Sequence, residues 1–190
     1  MFGTNRAMQC KPLSIPDVKL LTPKKHGDEK GFSSETYNRE IFAIGGITVD
    51  FVQDNHLYYA QQGILRGLYF QEPPFAQAKL VRVVRGAIWD VAVDIRHGSP
   101  TFGQWVAAEL SAENWQQLYI PIGFAHGFVT LEPDTEVCYK TSNYYSPAHD
   151  GGILWSDASL NIPWNVSNPI LSAKDSRLPL LRDLEPIFGV

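Results

Sequence analysis

Cysteine is scarce in this 190-residue chain, which has two thiols, Cys10 and Cys138. A pair so far apart builds no disulfide framework, and that usage predicts a reducing compartment. No run of about 18 apolar residues occurs, and the N-terminal MFGTNRAMQCKPLSIP has no apolar core of the signal-peptide kind, so a membrane chain is not expected and a cytoplasmic one is. Positive charge is short as well: 16 Lys and Arg stand against 20 Asp and Glu, a net charge of −4. The basic residues are scattered and form no stripe, which argues against a nucleic-acid partner. Any anionic ligand must then be held by a few placed arginines and lysines. The five histidines, His26, His56, His97, His126 and His149, lie far apart in sequence. A strand-borne metal site needs clustered His and carboxylate ligands, so a metal-free site is expected. Long helices are excluded by 13 prolines and 15 glycines spread throughout.

What the chain does have is short apolar runs between turn residues. The clearest is Ala87–Ile95, where Asp90 and Asp94 share one face and apolar side chains the other, a period of two. The two aspartates read as structural or edge charges. Further strands are predicted over Lys79–Arg85, Gln117–Ile120, Gly127–Leu131 and Val137–Thr141. The turns between them are marked by Arg85-Gly86, His97-Gly98-Ser99-Pro100 and Pro121-Ile122-Gly123. Strands at this spacing predict an all-β sandwich or barrel. Ser111–Trp115 reads as one helical turn with a serine cap, and the tail after residue 170 as room for one short helix. Residues 1–17 are expected to form a flexible N-terminal arm and residues 18–190 a single domain.

Four segments carry chemistry beyond a scaffold's needs. They are Phe51-Val52-Gln53-Asp54-Asn55 with Leu65-Arg66-Gly67-Leu68-Tyr69; Gln77-Ala78-Lys79-Leu80-Val81 leading into Arg96-His97-Gly98-Ser99-Pro100; Ile120-Pro121-Ile122-Gly123-Phe124-Ala125-His126-Gly127; and Tyr139-Lys140 with Tyr144-Tyr145-Ser146-Pro147. In this order and spacing, over roughly residues 20–180, the chain resembles the dTDP-4-dehydrorhamnose 3,5-epimerase family. The resemblance implies a double-stranded β-helix (cupin or jelly-roll) barrel with short peripheral helices, a homodimer, no cofactor or metal, and action on a nucleotide-diphosphate-linked 4-keto-6-deoxy sugar, dTDP-linked in the family.

A ketone at C4 acidifies the hydrogens on C3 and C5, because the carbanion delocalises into an enolate. Epimerisation therefore needs a base on one face, an acid on the other and a donor or cation at the oxyanion. The diphosphate needs arginine. By resemblance, Tyr139 is the acid, Lys79 lies by the keto oxygen, and Asp175, in Leu171-Ser172-Ala173-Lys174-Asp175, orients the base. Gln53, Asn55, Arg66 and His126 fall on ligand-contacting positions, Tyr145 on a nucleotide or sugar contact, and Phe32 and Glu35 on base-stacking and polar contacts. The base itself departs from the family: Tyr69 stands where the motif has histidine. A phenol with an ordinary pKa near 10 is a poor base at neutral pH, and a nearby carboxylate raises it further. Leu57 and Tyr59 replace small hydroxyl residues, and Lys30 and Ser33 replace an arginine and an aromatic, pointing to a reshaped pocket.

Plainer readings stand beside these. Tyr139 also fits a core tyrosine, His126 a buried hydrogen-bonded histidine, Lys79 a solvated strand end, and Asp175 a surface turn. Three functions follow: an epimerase with a substitute base (His126, Asp175 or Tyr69), a different ketosugar isomerase on the same scaffold, or a non-catalytic nucleotide-sugar binding protein.

Overall fold

A computed structural model of the protein describes residues 8–190. The N-terminal half runs through strands β1 (Met8–Pro12), β2 (Lys19–Pro23), β3 (Lys25–Asp28) and β4 (Gly31–Ser34), helix α1 (Arg39–Ile44), then β5 (Gln53–Tyr59), β6 (Leu65–Gln71), β7 (Lys79–Arg85) and β8 (Ala87–Asp94). It continues through β9 (Arg96–His97), β10 (Trp105–Ser111), β11 (Gln117–Ile120), β12 (Phe124–Thr130), β13 (Thr135–Thr141), β14 (Asp150–Gly152) and β15 (Phe188–Gly189). One antiparallel sheet has the order β1-β2-β11-β7-β13-β5, the other β10-β8-β12-β6-β14. Their facing side chains share one core, with Val81, Leu118 and Val137 from the first sheet against Ile88, Val106 and Phe128 from the second. The architecture is a double-stranded β-helix, the expected fold class.

The second sheet is buried on both sides. Its outer face, Leu65, Leu68, Val91, Val93 and Val129, is covered by Ile153, Leu160, Trp164, Leu181 and Phe188 from the C-terminal segment. Buried on both faces, β8 departs from the reading of Asp90 and Asp94 as edge charges: both are fully buried. Burial pushes the Asp94 carboxyl up, but hydrogen bonds from Arg96, Ser99 and Thr101 outweigh it and hold it down at about 2. Asp90 points into the barrel interior, beside His126.

The other differences are local. Of the arm expected over residues 1–17, Met8–Pro12 is an edge strand, in register from Met8↔Pro23 to Pro12↔Lys19; residues 1–7 lie outside the described residues. Pro12, the last residue of β1, suits an edge strand, which leaves backbone groups unpaired on one side. Ser111 and Asn114 cap a turn, with Asn114 N donating to Ser111 Oγ at 2.9 Å. The tail forms two 3₁₀ turns, Asp175–Arg177 and Leu181–Asp183, instead of one helix. Helix α1 is capped by Asn38, whose side chain accepts from the amides of Glu40 and Ile41; it buries only Phe42, too little apolar pattern to mark it in the sequence. No described helix is long and apolar enough to cross a membrane.

Candidate active site

Strand register decides which side chains share the barrel interior. On the first sheet Asn55 pairs with Tyr139, Gln53 with Thr141, and Thr141 with Lys79. Directly paired residues face the same way, so Gln53, Asn55, Lys79, Tyr139 and Thr141 form one polar patch on the inner face. On the second sheet β6 would alternate and send Arg66 and Tyr69 to opposite faces. A register irregularity against β12, between His126 and Phe128, prevents this. It is built on two glycines: Gly67 has a φ of +124°, and a Cβ there would lie 2.6 Å from the Gly127 Cα. Arg66 and Tyr69 consequently both look inward.

Between the patches lies a cavity of about 440 Å³, lined by Gln53, Asn55, Arg66, Tyr69, Lys79, Tyr139 and Tyr145 among the residues expected from sequence. Gln71, Gln77, Thr141, Asp150 and Lys174 line it as well. Thr141 was open to discovery from strand alternation, two residues beyond Tyr139. Lys174 adjoins Asp175 in a segment already singled out, whereas nothing in the sequence around Asp150 marks it. Gln53 and Gln71 shape the rim: their Oε1 atoms accept from Tyr145 N at 3.1 Å and Ser146 N at 2.8 Å, which pins the 144–146 loop over the opening. Leu57 and Tyr59 pack on the apolar core and do not border the cavity. Phe32 and Glu35 belong to the β3–β4 hairpin and the residue after it, outside the cavity; Phe32 packs edge-on against Trp115 under the Lys25 ammonium.

Asp175 is fully buried, not a surface turn residue. It accepts from Tyr69 Oη, from Gly67 N at 3.2 Å, and from Ser172 N at 3.1 Å and Ser172 Oγ at 2.5 Å. Burial raises its pKa, but the donors from Ser172, Tyr69 and Gly67 prevail and hold it below the ordinary carboxylate value. The Tyr69 phenol moves the other way: burial first, then its hydrogen bond to Asp175, push it well above its ordinary value against the pull of Arg66. Tyr139 is raised too, by burial, with Arg66 opposing. Lys174 Nζ sits 4.4 Å from the Tyr69 ring centroid while paired with Asp150.

Lys79 is shifted down to about 8, by burial; Asp90 and Asp150 pull it up, and Lys174 adds to the fall. His126 is buried beneath the cavity and does not line it. Its Nε2 lies 2.5 Å from Asp90 Oδ1. Among the described residues no group of three His, Cys, Asp or Glu is arranged to hold a metal ion.

The wall thus offers a phenol and an amine side by side, an arginine opposite, and amide groups around the opening: a place for an anionic, polyhydroxylated ligand that undergoes proton transfer. The family model described as dTDP-4-dehydrorhamnose 3,5-epimerase matches residues 12–183. The chain belongs to that family. It is therefore an isomerase of the epimerase type. The family's enzyme from Shigella flexneri is 56% identical over 162 residues, 85% of this chain and 89% of the relative. The crystal structure of the Bacillus anthracis family member, with TDP and PPi bound, is 53% identical, with a TM-score of 0.89 over 92% of this chain and 99% of that one. The Legionella pneumophila family member, in complex with dTDP-4-keto-L-rhamnose, is 42% identical with a TM-score of 0.92, covering 96% and 98% of the two chains. In this member of the family, the side chain facing Asp175 is a tyrosine.

Proposed function

We propose that this chain epimerises a dTDP-linked 4-keto-6-deoxy sugar by removing and returning a proton at one carbon, C3 or C5, through an enolate, with Tyr69 in the place of the usual base histidine. The observation that carries the reading is the Lys79–Tyr139 juxtaposition inside the cavity, facing Arg66. In its roles, Tyr139 is the acid that returns the proton, Lys79 lies by the keto oxygen, and Arg66 and Lys174 meet the diphosphate. Gln53, Asn55 and Tyr145 hold sugar and nucleotide, and Phe32 and Glu35 contact the base. Tyr69 is a donor and a wall, because a phenol raised above its ordinary pKa and tied to a carboxylate is almost never ionised at neutral pH. One proton-transfer route fewer leaves one carbon in reach. Relatives solved with TDP or a dTDP-keto sugar support the ligand class. Two free thiols, both partly buried, fit a reducing, cytoplasmic compartment; the homodimer rests on the family resemblance.

The test is NMR of dTDP-4-keto-6-deoxyglucose incubated with the protein in D₂O, alongside Tyr69→His. The expected result is deuterium at one ring position with the natural chain, and at both, faster, with the variant. Label with the variant alone would mark the natural chain as a binding protein without turnover, and an isomer other than an epimer would mark a different ketosugar isomerase.

A further inference from the structure

With the Tyr69 phenol donating to Asp175, neither group is left to take a carbon-bound proton. Asp175 receives four donors on its two oxygens and does not border the cavity. His126 lies beneath the cavity with Nε2 against Asp90. Arg66 is a guanidinium, which does not deprotonate in proteins. Lys79 stands on the same sheet as Tyr139, so those two cannot serve opposite faces of one sugar ring. A base that complements Tyr139 has to come from the second sheet. Among the described residues, Asp150 is the one carboxylate that borders the cavity, and no imidazole borders it.

Register sets Asp150 across from the Tyr139 wall. In β14 it pairs directly with Gln71 of β6, two residues beyond Tyr69. Paired residues, and residues two apart on a strand, face the same way. Asp150 therefore looks into the cavity beside Tyr69 from the second sheet, while Tyr139 looks in from β13 of the first. Two donors fix one of its oxygens: Lys174 Nζ and Tyr145 Oη both donate to Oδ2, the phenol at 3.1 Å. No described residue donates to Oδ1, so the carboxylate keeps one oxygen for a ligand. Lys174 has three donors, and the one on Asp150 leaves two for the diphosphate.

We propose that Asp150 is the general base of this chain, working from the second sheet on one face of the sugar while Tyr139 serves the other face from the first. The inference rests on the epimerase reading above. Asp150 Oδ1 takes the proton from the carbon beside the ketone. The C–H electron pair becomes the enolate double bond, and the carbonyl pair moves onto oxygen, beside Lys79. Carboxylates do act as bases next to a ketone when a donor meets the enolate oxygen. Lys79, lowered by burial to about 8, keeps its proton in roughly nine molecules of ten at pH 7 and is that donor. Collapse of the enolate draws a proton from the Tyr139 phenol onto the opposite face. The carboxylic acid then releases its proton to water and the phenolate regains one, so nothing is oxidised and the solvent supplies the label.

The experiment follows solvent deuterium entering dTDP-4-keto-6-deoxyglucose by NMR, with dTDP binding measured on the same full chains. Asp150→Asn keeps the shape and an oxygen for Lys174 and Tyr145 but removes the base. Exchange then falls by about 100-fold or more while dTDP still binds. Adding Tyr69→His to that variant sets an imidazole against Asp175 on the same wall and recovers exchange by about 100-fold. A residue that merely props the rim would behave otherwise: its loss would weaken dTDP binding, and the added histidine would not mend it. Undiminished exchange in Asp150→Asn, or a loss of exchange shared with dTDP binding, overturns the base assignment and leaves the epimerase reading standing. So does a double variant that stays inactive while Tyr69→His alone is active. A natural chain without exchange overturns both readings.

Discussion

At residue 69 a phenol occupies ground where the family resemblance implies an imidazole, and its neighbours are arranged for the phenol. The Asp175 carboxylate below it and the Lys174 ammonium over its ring hold it in place. Lys79 shows the opposite economy, an amine kept in a site that disfavours its charge. Its folded value of about 8 lies below the unfolded 10.5. Between those two values the unfolded chain binds the proton and the folded chain does not, so stability rises with pH across that window; below about 8 both states are charged and the penalty is present in full. Compared with Lys79→Met, the natural chain should gain about 1–2 kcal/mol between pH 8 and 10, discounted for the side chain's partial exposure to the cavity. Urea unfolding of both proteins at a series of pH values measures this, and a constant difference between them would show that Lys79 is not depressed.

Elements, not single residues, bring the site together. Strand β6 turns both Arg66 and Tyr69 inward only because its ladder with β12 slips at Gly67 and Gly127. Gly67→Ala would drive a Cβ into the Gly127 Cα and the His126 carbonyl, at 2.6 and 2.8 Å, in a conformation that disfavours any side chain. A loss of about 3 kcal/mol or more in unfolding free energy is expected, together with loss of the Tyr69–Asp175 contact. Unfolding midpoints in urea and the tyrosine signals near Asp175 report the two effects; a variant as stable as the natural chain would mean that the slip has another cause.

At the scale of the whole molecule, the two sheets close a barrel that is apolar at one end and polar at the other, and the β3–β4 hairpin stands outside it. Among the described residues those strands pair only with each other, and they are exposed at nearly every residue. An isolated two-stranded hairpin is marginal in water, so a partner surface is expected to cover it. The chain should sediment as a dimer, at twice its 21.3 kDa mass, and the hairpin amides should resist hydrogen exchange in that dimer. A monomer with unprotected hairpin amides would remove the dimer from the reading. Much of this architecture was legible beforehand. Alternation in Lys79–Arg85, Gln117–Ile120 and Val137–Thr141 marked strands that the structure contains, and seven of the residues picked from motifs line one cavity. The departure at Tyr69 was legible as well, because an ordered motif exposes the one residue type that breaks it. What escaped was set by contacts distant in sequence. Asp90 reads as an edge charge until the C-terminal segment covers the far side of β8, and Asp150 and Lys174 join the wall only through β14 and the tail turn. Local pattern and residue chemistry determined the strands, the motifs and the tyrosine at position 69; which buried charges face one another was decided by the closing of two sheets, a long-range event with no local signature.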